Sequence, residues 1–166
     1  MPQPNLEAFR FPRFAELPDM GLYLEQLLQL NNGILQPFFT RGQPAATSAM
    51  VSNYIKAGVL APPERKRYGR EHLCRLLVLS LLKESFTIQE ICLLFQVQKE
   101  TYPLPVSYDY FCQDFENALS EAFCPTGLPL PDHATRQTPQ TRLLRAMVLA
   151  TVSRIYINCQ LFWRQP

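Results

Sequence analysis

Residues 46–77 read ATSAMVSNYIKAGVLAPPERKRYGREHLCRLL. Thr47 carries the hydroxyl of a helix N-cap, and the helix it opens is expected to run to about Ala57, where Gly58 supplies the left-handed residue that ends it. Met50, Val51, Tyr54 and Ile55 recur at i, i+1, i+4 and i+5 and form one buried stripe, which leaves Ser48, Ser52, Asn53 and Lys56 on the opposite face. Val59-Leu60 re-enters the core and Pro62-Pro63 forces an extended corner. Glu64 to Tyr68 is short, charged and closed by Gly69, the composition of a small hairpin wing. Such a wing persists only by leaning on helices. From Arg70 to Lys83 the run EHLCRLLVLSLLK is apolar almost all round, so that helix needs cover on more than one side and belongs at the centre of the domain. Helix, glycine stop, proline corner, basic hairpin, helix: this is the order of a winged helix-turn-helix.

The remainder of the chain is compatible with that centre. A chain of 166 residues, 47% hydrophobic and 18% charged, can bury a core of about one domain. No leader-like segment opens it and no apolar run approaches membrane length, so a cytoplasmic protein without a membrane partner is expected. The five cysteines form an odd set without a CxxC pair, and the two histidines are too few for a His-rich metal site. No metal or cofactor is expected. The formal net charge of +2 is unevenly divided: residues 47–83 hold seven basic and two acidic side chains, the segments before and after them three against four and six against eight. The positive potential therefore falls on the helix and wing, as a nucleic-acid footprint does.

Outside the quoted stretch, residues 1–18 contain four prolines and interleaved phenylalanines, which suggests an extended arm with docked aromatics. Asp19 reads as the cap of a helix through Leu30 that Asn31-Asn32-Gly33 stops. Ile34 to Phe39 has no clear pattern. Thr87 and Glu90 form a capping box with Phe86 and Ile91 at the staple positions, predicting a helix from Ile88 to about Gln96. Tyr102 to Pro105 breaks the chain, and a helical stripe of Tyr108, Phe111, Phe115, Leu119 and Phe123 follows. Residues 125–139 are loop. Thr141 to about Trp163 reads as an amphipathic helix, with a strand as the alternative for the β-branched residues 151–157. The division is a 1–18 arm, a 19–98 winged helix-turn-helix domain and a 99–166 helical extension serving dimerisation or an effector. The fold class is mainly α with a β-hairpin wing.

The elements NYIKAGVLAPP, the basic wing with Lys66 and Tyr68, REHLCRLL and FTIQEI resemble the DNA-binding domain of MerR-class transcriptional regulators. With the upstream LPDMGLYLEQ, the same stretch resembles still more a bacterial family of unknown function whose members share a MerR-like helix-turn-helix. The likeness spans roughly residues 17–95. It implies a winged fold and a habit of binding duplex DNA as a homodimer, with the segment from Thr141 to Trp163 either supplying the dimer interface or folding back over the Leu-rich helix. The chain also departs from the resemblance. Ala49 and Ser52 stand where MerR-class helices present arginines and Asn53 where they present a tyrosine. The unknown-function family is expected to place a lysine near Ser48 and an asparagine near Ser52.

The expected function is a DNA-binding transcriptional regulator. Thr47, Ser48, Ser52, Asn53 and Lys56 face the major groove, with Asn53 suited to pair bidentately with adenine. Arg65, Lys66, Arg67 and Arg70 clamp phosphates, with Tyr68 beside them, although its ring and that of Tyr54 suit packing better than base stacking. Tyr108, Phe111 and Phe115 are candidate lining for an effector pocket, with core packing as the plainer role. The alternative is a winged-helix protein-interaction module that no longer reads DNA, in keeping with Ala49 and Ser52. No phosphate loop, GxSxG or HExxH is present, and an enzyme is not expected.

Overall fold

The computed structural model describes residues 5–39 and 42–162. It is mainly helical: α1 spans Leu24–Leu35, α2 Ser48–Lys56, α3 Arg70–Leu82, α4 Ile88–Thr101, α5 Leu104–Phe123 and α6 Pro139–Phe162, with 3-10 turns at Leu6–Ala8, Phe14–Glu16 and Gln36–Phe38. Trp163, the expected end of α6, lies outside the described residues.

The Leu-rich helix is the axis of the core. In α3 every residue from Leu73 to Leu82 except Arg75 is buried. The cover comes from the same chain, because α1 and α6 both pack on α3, so no second copy is needed to shield it. α6 is helical throughout, including residues 151–157. Its Met147, Val148, Thr151, Val152, Ile155 and Cys159 are buried, and they recur at i, i+1, i+4, i+5, i+8 and i+12, which places them along one side. Thr151 is accommodated there because its hydroxyl donates to the Met147 carbonyl at 2.9 Å.

The N-terminal arm docks on α5. Phe11 is buried, its ring edge-on to Phe115 at 5.5 Å and to Phe9 at 4.7 Å. Glu116 of α5, itself buried, accepts the Phe11 amide at 2.8 Å and a bidentate pair of bonds from Arg13 at 2.7 Å each. Tyr108 donates to the Pro12 carbonyl at 2.9 Å.

Several boundaries differ from expectation for identifiable reasons. α1 starts at Leu24 rather than after Asp19, because Leu22 is drawn into an antiparallel bridge with Tyr68 and Gln26 instead accepts the Tyr23 amide at 2.9 Å. Asn31-Asn32-Gly33 does not stop the helix. Asn31 is buried against Ser80, and Asn32 accepts the Ala46 amide at 2.8 Å while donating to the Ala46 carbonyl at 2.9 Å. Both asparagines are thus tertiary clamps. Thr87 and Glu90 close their capping box, but α4 continues to Thr101, and α5 begins at Leu104 with Pro105 in its first turn, where a missing N–H costs nothing. No strand forms among the described residues. The expected β-hairpin wing is one tight turn, in which Glu64 and Arg67 exchange bonds of 3.0 and 2.9 Å.

Candidate nucleic-acid interface

α2 is fixed at both ends. The Thr47 hydroxyl accepts the Met50 amide at 3.3 Å, and the Asn32 clamp holds Ala46 immediately before it. At the far end Gly58 takes a φ of 76°, after which the Val59 and Leu60 amides both reach the Tyr54 carbonyl, at 3.1 and 3.2 Å. Val51 and Tyr54 face the core, and burial pushes the Tyr54 phenol up from its ordinary value. Ser48, Ala49, Ser52, Asn53 and Lys56 are exposed. The outer face of α2 is therefore mostly short-chained, carries one cation in Lys56 and is free of acidic groups.

The turn beside it is braced from three sides. The Leu22 and Tyr68 backbones exchange two bonds of 2.8 Å. Gly21 lies so close that a Cβ there would sit 2.9 Å from the Arg67 Cβ, which is why this position carries no side chain. His72 accepts the Gly69 amide on Nδ1 at 2.9 Å and faces the Pro62 carbonyl with Nε2 at 3.2 Å. An amide only donates and a carbonyl only accepts, so these partners select the neutral ring with its proton on Nε2. At the tip, Arg65 and Lys66 have φ of 50° and 62°, a left-handed pair that such a two-residue turn requires and that non-glycine residues adopt at a cost.

The seven cations of this region separate into two groups. Arg67 lies over the Tyr23 ring, 3.6 Å from its centroid, and donates to the Tyr23 hydroxyl at 2.7 Å and the Gly21 carbonyl at 3.3 Å. Arg70 donates to the Leu17 carbonyl at 3.0 Å, covers Phe14 and stands 3.8 Å from Asp19. Arg75 bonds Gln98, and Lys83 bonds the Ala45 carbonyl, with burial lowering both from their ordinary values. Lys56, Arg65 and Lys66 are exposed and form no ion pair or hydrogen bond among the described residues. The free charge thus comes to three side chains, of which Arg65 lines a surface depression together with Glu64 and Glu71.

Tyr68 is buried, edge-on to His72 at 5.3 Å, so it supports the turn and offers no ring to a ligand. The sequence reading missed Gly21, Tyr23, Asn32 and His72. Only His72 left a local signal, standing three residues beyond Gly69 at a helix start.

The three aromatics of the candidate effector pocket are divided. Tyr108 and Phe111 border a cavity between α3, α4, α5 and α6, whereas Phe115 packs among Phe11, Phe38 and Phe111. Burial and the Tyr108 hydroxyl act in opposite directions on the Cys112 thiol, and burial wins, pushing it up to about 12. Burial likewise raises Cys74, so both thiols stay protonated and behave as small hydrophobes. No group of three His, Cys, Asp or Glu side chains is placed to hold a metal among the described residues, and no helix there is long and apolar enough to cross a membrane.

No curated protein and no solved structure matches the chain. A family model does match it, over residues 12–111, a span from the docked arm through α2 and the braced turn into the first half of α5. On that match the chain belongs to the family described as a domain of unknown function, DUF1836.

Proposed function

We propose that the protein binds duplex DNA as a transcriptional regulator of MerR-like winged helix-turn-helix type. α2 is set in the major groove and the Glu64–Arg67 turn lies along the backbone as a minimal wing. The observation that carries this reading is the turn itself. Two long cations occupy left-handed positions that glycine or asparagine would fill at lower cost, and strain held at a projecting tip is a mark of function. Asn53 is the base reader, Ser48 and Ser52 approach bases or phosphates, and Lys56, Arg65 and Lys66 neutralise phosphates. Arg67, Arg70 and Tyr68 hold the turn.

A homodimer would space two half-sites about one helical turn apart. Its support is the outer side of α6, where Leu143, Leu149, Ile157 and Leu161 are exposed away from the buried stripe. The competing reading, a winged module that meets a protein instead, draws on Ala49 and Ser52, where α2 lacks the cations of the regulators it resembles.

Replacing Arg65→Asn together with Lys66→Gly tests the proposal on two readouts. The variant is expected to gain about 1 kcal/mol of stability by relieving the turn, and to lose most of its affinity in fluorescence anisotropy on a mixed-sequence duplex. For the wild type, three free cations predict a slope of log affinity against log salt near −3 per protomer, about twice that for a dimer. Undiminished affinity in the more stable variant, or a salt-independent signal, would argue for the protein-partner reading.

A further inference from the structure

The cavity bordered by Tyr108 and Phe111 has a volume of about 280 Å³. That is close to the lower end of small-molecule sites, which begin at about 300 Å³, so its occupant is small. Its walls are apolar, with Val78 of α3, Leu94 and Phe95 of α4, Leu104 of α5 and Leu144 of α6 among them. No acidic side chain lines it among the described residues.

Its polar groups are mostly spent within the protein. Gln98 accepts from Arg75 and donates to the Tyr102 carbonyl at 2.8 Å, Thr101 donates to the Val97 carbonyl, and Ser107 to the Leu104 carbonyl at 3.1 Å. Arg75 is the arginine among the lining residues. Its half-buried guanidinium bonds Gln98 through one nitrogen at 3.2 Å and lies 5.1 Å above the Phe95 ring. No carboxylate comes within ion-pair distance among the described residues. A guanidinium has five N–H donors in a planar fork, and this one bonds only a neutral partner, with Glu71 one turn earlier on α3 acting on it from beyond ion-pair distance. Burial lowers Arg75 from its ordinary value, which is the cost such an anion would offset.

We propose that this cavity binds a small amphipathic monocarboxylate, its tail among Val78, Leu94, Phe95 and Leu144 and its carboxylate paired with the free edge of Arg75. The site is independent of the DNA reading and is tested without DNA.

Calorimetric titration of the full chain with octanoate, 1-octanol and octylammonium separates charge from tail. Octanoate is expected to bind about tenfold or more tighter than octanol, with octylammonium the weakest. Arg75→Gln is expected to bring octanoate down to the octanol level while octanol keeps its affinity. Ala134→Trp, in the loop at the cavity wall, is expected to abolish binding of all three at an unchanged thermal midpoint. If Arg75→Gln does not fold, the ranking of the probes on the wild type and the Ala134→Trp loss decide the matter. Absence of octanoate binding at millimolar concentration, an equal affinity for octylammonium, or full binding by Ala134→Trp overturns the site. A carboxylate preference that survives in a folded Arg75→Gln variant overturns the role of Arg75.

Discussion

Arg67 shows how a charge can be present in a sequence and spent in a structure. It belongs to the basic run that marks the wing, yet its guanidinium is stacked on Tyr23 and bonded to Tyr23 and Gly21, so it braces the turn whose tip carries the free cations. Composition counts cations and cannot say which already have a partner. Asp114 of α5 is the converse case, a carboxylate without enough partners. It is 4% exposed, its Oδ2 has no hydrogen bond among the described residues, and burial raises its pKa against the opposing pull of Arg145 and His133. A carboxylate raised on folding favours the native state when protonated, and that contribution is lost as pH climbs from the unfolded value, about 3.9, through the higher folded one. Asp114→Asn is therefore expected to raise the melting temperature at pH 7, by the equivalent of about 1 kcal/mol. The advantage should fade below about pH 4, where the wild-type group is protonated in both states. A gain that is the same at pH 3 and pH 7 would mean that ionisation is not its cause.

At the scale of elements, what the sequence disclosed depended on whether the signal was local. The Thr87–Glu90 capping box sits within three residues and was legible, as were the Thr47 cap, the Gly58 stop and the apolar girth of α3. The start of α1 was not legible. Asp19 has the chemistry of a cap, but the Leu22–Tyr68 bridge takes the chain past it, and a partner 46 residues away leaves no trace in local spacing. The Asn31-Asn32 pair misled for the same reason, since side chains that compete with a helix locally here bond distant groups. At the candidate site the outward residues of α2 followed from periodicity, whereas the bracing of the turn by Gly21, Tyr23 and His72 needed the folded structure. Asn32→Ala tests this distinction. Removing both bonds to Ala46 is expected to cost about 2 kcal/mol in urea denaturation. It should also weaken DNA binding, because the residue released is the one before the Thr47 cap. Loss of stability without loss of affinity would show that α2 is positioned by its buried stripe alone.

At the scale of the molecule, the family match ends at residue 111, but the packing does not. The first turns of the arm close on the second half of α5, where Glu116 holds the Phe11 amide and Arg13. Glu116→Ala leaves Arg13 unpaired and is expected to cost about 3 kcal/mol. Adding Arg13→Ala to it should cost little more, and a sum of two independent losses in denaturant titration would show that the pair is not coupled. This clasp also has a meaning in time. Its two halves are 103 residues apart, and at roughly 5–20 residues per second the second half is synthesised about 5–20 s after the first. In the nascent chain Leu6 and Phe11 therefore lack their α5 cover while α1 to α4 are made. The arm is therefore among the last segments to find its place, and during that interval it is an apolar, proline-bearing stretch open to whatever binds such segments near the ribosome.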